Sequence, residues 1–233
     1  MASEPGLIAF PSRAAMAQKL ADLVEAVLAR GMANGGRGEL AISGGSTPEH
    51  LYRELARRAI AWNNVAATLV DERWVAPDHP RSNEAFVRRA FSGAGVEIAG
   101  LYVTGMSAAK AAPTVAMRMR RRAKPFDAVI LGMGEDGHTA SWFPRAFGLD
   151  RALGSDDRVC AVRAEKSAVT GDEVDRMTLT LSAIRDATVI VLAIAGESKR
   201  LAFANASEAG PVEAMPVRAI MRARPDLWAC WAP

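Results

Sequence analysis

The stretch Glu39-Leu40-Ala41-Ile42-Ser43-Gly44-Gly45-Ser46-Thr47-Pro48-Glu49 passes from a short apolar run, through paired glycines, into a segment marked by hydroxyls, a proline and an acid. The apolar run has the length of a strand. Ser46 or Thr47 can cap a helix whose first turn holds Pro48 and Glu49, because a hydroxyl accepts from free first-turn amides and proline lacks the N–H that this turn leaves unpaired. The helix is expected to run to about residue 61. A strand, a tight turn and a helix make the first half of a parallel crossover unit.

The same alternation extends in both directions. Residues 12–30 repeat apolar side chains at helical spacing (Ala15, Leu20, Leu23, Val24, Val27, Leu28) and meet Gly31 and then Asn34-Gly35-Gly36, which read as a terminator. Downstream, residues 66–70 and 126–131 are apolar strand candidates, the first ending in Asp71-Glu72-Arg73 and the second in Gly132. Helical segments are expected at 83–91 and 108–124, with Met117 and Met119 in the core. Strands at 159–162, 177–181 and 188–194, a helix from Glu197 and a strand at 227–231 complete the pattern. Neither an internal repeat nor a linker interrupts it, so the expectation is one α/β domain over residues 1–233, with a mostly parallel sheet flanked by helices on both faces.

Composition agrees with one sizeable core. The 233 residues compare with a prior of about 150 per domain. Half are hydrophobic and 24% charged, which excludes disorder and a disulfide-stapled mini-fold. Lys and Arg exceed Asp and Glu by only 29 to 26, so no nucleic-acid footprint is expected, although a local site for a small anion is compatible. Cys160 and Cys230 are far apart and lack metal-ligand spacing, which points to a reduced, cytoplasmic protein. The first residues lack a basic segment followed by a long apolar one, and no run reaches about 18 apolar residues, so neither a targeting leader nor a membrane span is expected.

In open α/β sheets ligands bind beyond the carboxyl ends of the strands, and the residues with chemistry follow strands four times here. Ser43-Gly44-Gly45-Ser46-Thr47-Pro48 reads either as a phosphate cradle, with backbone N–H groups and a helix dipole facing an oxyanion, or as an ordinary capped turn. The Gly-Lys-Ser/Thr ending of a Walker loop is absent. Gly132-Met133-Gly134-Glu135-Asp136-Gly137 spells a dinucleotide fingerprint, but Glu135 and Asp136 would repel a pyrophosphate and His138-Thr139-Ala140-Ser141 starts a helix poorly. That reading is rejected. Asp136-Gly137-His138 instead holds a carboxylate two residues from an imidazole, which can fix the ring and its tautomer as a general base requires. His50 and His79 read as structural or solvated.

Asp71 can serve as a base or as a hydroxyl acceptor, and Arg73 can pair with phosphate; a surface ion cluster is the plain alternative. Arg176, at the start of Met177-Thr178, and Lys199, after Gly196-Glu197-Ser198, are further cations that can serve an anion or solvent. A Gly-x-Ser-x-Gly elbow, an HExxH helix and a cysteine cluster are all absent, and the run Arg120-Arg121-Arg122 reads as a solvated helix end.

Taken in order, Ser43 to Pro48, Asp71-Glu72-Arg73 with Ser82-Asn83, Gly132 to Ser141 with Phe143-Pro144, Arg176-Met177-Thr178 and Gly196 to Lys199 resemble the 6-phosphogluconolactonase family. The resemblance implies the α/β fold shared with glucosamine-6-phosphate deaminase and ribose-5-phosphate isomerase. It also implies hydrolysis of 6-phosphoglucono-δ-lactone to 6-phosphogluconate, in the oxidative pentose phosphate pathway, with no metal or organic cofactor.

On that footing the phosphate rests on the N–H groups of Gly44, Gly45, Ser46 and Thr47 and pairs with Arg73, Arg176 and Lys199, while His138, oriented by Asp136, takes a proton from the attacking water. Asp71 either moves a proton or holds a hydroxyl. The implied partner is a small sugar-phosphate lactone, bound by a monomer or small homo-oligomer.

The deaminases resemble the same blocks but carry Asp-Glu-Tyr in place of Asp71-Glu72-Arg73 and a glutamate where this chain has Phe143. A non-catalytic sugar-phosphate sensor is the other alternative, and it would normally bring a helix-turn-helix. Trp142 departs from the lactonase pattern, which usually has leucine there.

Overall fold

Every residue of β2 (Gly38–Ile42) is buried, and because successive side chains leave a strand on opposite faces, a strand buried throughout is covered on both. The same holds for β3 (Val65–Leu69) and β6 (Ala128–Leu131). The computed structural model describes residues 6–33, 36–120, 125–167 and 170–233.

In chain order the remaining elements are β1 (Leu7–Ala9), α1 (Arg13–Met32), α2 (Ser46–Ala56), β4 (Asp71–Arg73), α3 (Asn83–Ala90), β5 (Glu97–Ala99) and α4 (Ala108–Arg120). They are followed by α5 (Leu149–Gly154), β7 (Val159–Arg163), β8 (Asp175–Leu179), α6 (Leu181–Ile184), β9 (Val189–Ala195), α7 (Glu197–Ser207), α8 (Val217–Ala223) and β10 (Trp228–Ala232). Seven strands form one sheet in the order β1-β10-β9-β6-β2-β3-β5, and every pair in it is parallel. The expected α/β architecture is thus present. No helix of the described residues is long and apolar enough to cross a membrane.

A second sheet, β4-β8-β7, is antiparallel and corrects the expectation that the strands near 159–162 and 177–181 join the parallel one. The change of partner happens at Val70. Its N–H donates to Ile42 of β2, and its carbonyl accepts from Leu179 of β8. One residue therefore hands the chain from one sheet to the other, and Asp71 to Arg73 become a strand rather than a charged loop.

Helix boundaries move for local reasons. Ser12 caps α1, its Oγ accepting from Ala15 N at 3.1 Å, but the helix continues through Gly31 to Met32. Gly31 serves close approach rather than termination, since a Cβ there would lie 2.4 Å from the Asp127 carboxylate. Asn34 and Gly35, read as part of the stop, lie outside the described residues. The second helix ends at Ala56, before a short 3-10 turn at Trp62–Asn64, and not near residue 61. Of the segment 108–124, residues 108–120 are helical and 121–124 lie outside the described residues, along with Arg121 and Arg122 of the arginine run. In α4 the buried positions are Ala108, Ala111, Ala112, Val115 and Met119. That stripe leaves Met117 on the far side, 62% exposed, so only Met119 belongs to the core.

Two buried groups join the sheets to the loops above them. Trp142 is fully buried, and its Nε1 donates to the Leu179 carbonyl at 2.9 Å. Glu72 is also fully buried. It stands at the amino end of α3, accepting from Asn83 N at 2.7 Å, Glu84 N at 2.8 Å, Ser82 Oγ at 3.1 Å and Arg73 N at 2.9 Å. Burial outweighs those donors and pushes its carboxyl up from 4.5 to about 7.

Replacing Trp142 with alanine removes a large core side chain and one of the donors to the Leu179 carbonyl, so urea unfolding is expected to show a loss of about 3–5 kcal/mol. Between about pH 4.5 and 7 the folded chain holds the Glu72 proton more firmly than the unfolded chain does, so this group's contribution to stability falls as pH rises through that window. Denaturation of wild type and Glu72→Gln across the window should give curves that diverge with pH in that sense, whatever the offset between them. A constant difference contradicts the assignment.

Candidate active site

Parallel register brings the carboxyl ends of β2, β6 and β9 side by side, with Ile42 opposite Ile130 and Leu131 opposite Leu192. The chain beyond those ends, together with β4 and β8, encloses a cleft of about 330 Å³. Of the residues singled out in the sequence, Asp71, Arg73, His138, Arg176, Lys199 and the segment Gly44 to Thr47 line it. Asp136 does not; it reaches the cleft through His138.

The imidazole is held by a tight loop. Gly137, at φ +76°, turns the chain so that Gly137 N reaches the Gly134 carbonyl at 3.1 Å and Gly134 N reaches the His138 carbonyl at 2.9 Å. Asp136 Oδ1 lies 2.5 Å from His138 Nδ1 and also accepts from His138 N at 3.1 Å. Burial works to raise the Asp136 carboxyl, but the bond and charge of His138 outweigh it and leave the group below its ordinary range. A carboxylate only accepts, so Nδ1 carries the proton and Nε2 is the basic nitrogen of the neutral ring. Gly134 leaves room for this pair, since a Cβ would stand 2.2 Å from the ring. The glycines that spell a dinucleotide fingerprint therefore pack an imidazole.

The opposite wall is positive. In place of the expected hydroxyl cap, Gly45 (φ 106°, ψ 162°) is the N-cap of α2, and no side chain bonds the first amides. Ser46 and Thr47 are instead the first two residues of the helix. Gly196 starts α7 in the same way (φ 86°, ψ 160°), with Lys199 in the first turn.

Arg176 is 2% exposed, and among the described residues it donates only to the carbonyls of Thr170 and Asp175, both at 3.3 Å. Burial pulls it down to about 10, the charge of Asp71 opposing and that of Arg73 adding to the fall. Arg73 faces it directly across the β4–β8 pair and donates to the Arg81 carbonyl at 2.7 Å. Lys199 is lowered by burial, with Glu135 opposing. Two guanidiniums set opposite each other repel unless an anion lies between them.

Residues that the sequence quotes only within the resembling blocks gather in and behind the cleft wall. Phe143 tilts against His138 with ring centroids 4.4 Å apart, and the Arg176 guanidinium lies 5.7 Å from the same ring. Ser141 Oγ donates to Asp71 Oδ2 at 2.6 Å, and Asn83 Nδ2 donates to Asp71 O at 2.9 Å and Oδ1 at 3.3 Å. Ala140 lines the cleft at φ 50°, a strained value of the kind that gathers at functional sites. Ser141 and Phe143 followed His138 closely enough to be suspected. The resemblance sets Ser82-Asn83 in one block with Asp71, but no spacing in the sequence predicts their contact. His50 is exposed and His79 accepts from Arg81 N at 3.2 Å, so both stand outside the site. Among the described residues no three of His, Cys, Asp and Glu converge as a metal site.

Residues 11–229 match the family model described as glucosamine-6-phosphate isomerases/6-phosphogluconolactonase. Similar proteins include a 6-phosphogluconolactonase of Rhizobium meliloti, 39% identical with 96% of this chain and 97% of that one covered. One of Mesorhizobium japonicum is 40% identical, with 97% and 94% covered. Among solved structures, a 6-phosphogluconolactonase from Shewanella baltica superposes with a TM-score of 0.92 at 34% identity over all of both chains. The chain belongs to the glucosamine-6-phosphate isomerase/6-phosphogluconolactonase family.

Proposed function

We propose that this chain is a hydrolase that opens 6-phosphoglucono-δ-lactone to 6-phosphogluconate, in the oxidative branch of the pentose phosphate pathway. The observation that carries the reading is the meeting, in one cleft, of a carboxylate-held imidazole with an uncapped helix end and three cations. Relatives named as 6-phosphogluconolactonases, matching over nearly the full chain, support the same substrate. A reducing, cytoplasmic setting goes with it, and Cys160 and Cys230 are both buried free thiols.

The phosphate sits at the first amides of α2, where the helix dipole and unpaired N–H groups favour negative charge. Arg176, Arg73 and Lys199 neutralise it. Charge-assisted bonds of this kind strengthen in a partly desolvated cleft, and the phosphate lies far enough from the acyl carbon to act as an anchor. Anchoring converts the attack of water into a positioned, nearly unimolecular event.

His138 Nε2 takes a proton from that water as its oxygen bonds to the lactone carbonyl carbon. Asp136 stabilises the imidazolium that forms. When the tetrahedral intermediate collapses, the bond from the acyl carbon to the ring oxygen breaks and the imidazolium returns the proton to that oxygen. The products are the freed hydroxyl and a carboxylic acid, which releases its proton to solvent and leaves as the carboxylate. Asp71 orients the sugar and moves no proton in this sequence.

The ring of Phe143 against His138 argues against an amino-sugar deaminase. At that position the deaminase relay would need a carboxylate, and a phenyl ring cannot donate or accept the proton that opens a hexose ring.

With freshly generated lactone and the spontaneous rate subtracted, His138→Ala should lower kcat at least about 100-fold while inhibition by 6-phosphogluconate persists. Near wild-type turnover would rule out His138 as the base. Arg176→Leu should fall mainly on KM, by about 10-fold or more, since its interaction with phosphate is made in ground and transition states alike.

A further inference from the structure

Arg81 is not part of the cleft lining, yet both arginines of the β4–β8 pair are tied to it. Its carbonyl accepts from Arg73 Nη1 at 2.7 Å. Its guanidinium shares an acceptor with Arg176. Arg81 Nη2 donates to the Thr170 carbonyl at 3.1 Å, and Arg176 Nη2 donates to the same oxygen at 3.3 Å. The second terminal nitrogen, Nη1, lies 3.0 Å from the Glu173 carboxylate. One half-buried side chain therefore joins the segment that leads into α3 to the turn that precedes β8.

Both ends of that span are shaped for it. Arg81 N donates to His79 Nδ1 at 3.2 Å and Ser82 N to the His79 carbonyl at 2.9 Å, which fixes where the side chain leaves the main chain. On the far side Gly171, at φ +64°, lies so close to the guanidinium that a Cβ would stand 2.2 Å from Nη1. Thr170 is 2% exposed, so the two guanidiniums meet its carbonyl away from bulk solvent, where charge-assisted bonds count for more. A guanidinium suits this place because its planar fork reaches two groups at once, whereas an ammonium brings a point charge to one of them.

The arrangement also sorts the charges. Three guanidiniums gather here, and Glu173 balances the one that does not line the cleft, leaving Arg73 and Arg176 for an anion. Among the described residues Arg176 otherwise donates only to the carbonyl of its neighbour Asp175. Its direction therefore depends on where the Thr170 carbonyl stands, and Arg81 is the side chain that ties this carbonyl to the chain beyond β4.

We propose that Arg81 is a positioning residue, which fixes the Thr170 carbonyl and so holds the Arg176 guanidinium in the orientation that binds the phosphate of the substrate. The proposal rests on the lactonase reading and deepens it. The phosphate contact is the same in ground and transition states, so loss of Arg81 falls on binding and spares the chemistry at His138.

The test compares wild type with Arg81→Met, Arg81→Lys, Arg176→Leu and the double variant Arg81→Met/Arg176→Leu. Steady-state hydrolysis of 6-phosphoglucono-δ-lactone and the calorimetric Kd of 6-phosphogluconate are read for each. Arg81→Met should raise KM and Kd about 5-fold or more, with kcat within about 2-fold of wild type. Arg81→Lys should recover part of that loss, and it carries the same comparison if Arg81→Met does not fold. In the Arg176→Leu background Arg81→Met should have little further effect, because the group it positions is gone.

KM and Kd that stay at wild-type values, a fall in kcat as large as the rise in KM, or an undiminished penalty in the Arg176→Leu background would overturn the proposal. A lowered Tm with those constants unmoved makes Arg81 merely structural and overturns it too. Wild type that binds 6-phosphogluconate yet hydrolyses no lactone above the blank overturns the lactonase reading instead, and leaves the binding comparison to decide Arg81 by itself.

Discussion

Parallel pairing compels β2, β3, β6 and β9 to finish on one edge of the sheet. The cradle, the imidazole loop and the lysine helix hang from that edge, and the rest of the cleft follows from it. Antiparallel neighbours would send alternate strand ends to opposite sides of the molecule. The second sheet departs from the rule usefully. By leaving the parallel sheet at Val70 and pairing with β8, the chain carries Asp71 and Arg73 over the cleft and sets them beside Thr178 and Arg176. A wall is thus made from a strand that the parallel sheet gives up.

The electrostatics of the cleft are held in imbalance. Arg176 is buried with carbonyls for company and another guanidinium opposite, and burial, with the charge of Arg73 adding and that of Asp71 opposing, pulls it down to about 10. The imidazole side is balanced, since the charge and bond of His138 overcome the burial of Asp136. One wall is therefore left with unbalanced positive charge, while the other holds its own. A ligand with a charged end and a neutral, electrophilic end fits such a division, and orientation follows from charge before any shape is read.

The strand-turn-helix alternation, the separate blocks that follow strands and the Asp136–His138 pairing were legible because each is a local pattern of at most a dozen residues. What was not legible depends on distant partners. The strands β1 and β5 are three residues long and hold their place by pairing with β10 and β3, so their own periodicity is too short to read. The antiparallel sheet depends on one turn of backbone at Val70, which apolar composition hides. Met117 carries core chemistry but falls off the buried stripe of α4 by phase alone. Around the site, Arg176 and Lys199 look like ordinary surface cations in one dimension; only folding buries the first and half-buries the second. Asn83 lies twelve residues from Asp71 in sequence and touches it through the amino end of α3.

The uncapped start of α2 has a consequence for how this chain tolerates change. A glycine N-cap leaves the first amides unspoken for, and those amides belong to the main chain whatever side chains accompany them. Exposed Ser46 can drift among many residues without erasing the proposed anion seat. Gly45, at φ 106°, cannot accept a side chain without backbone strain. What the proposed grip depends on is thus a backbone shape guarded by one glycine, so natural variation should be permissive at the hydroxyl beside it and severe at the residue that has nothing to show.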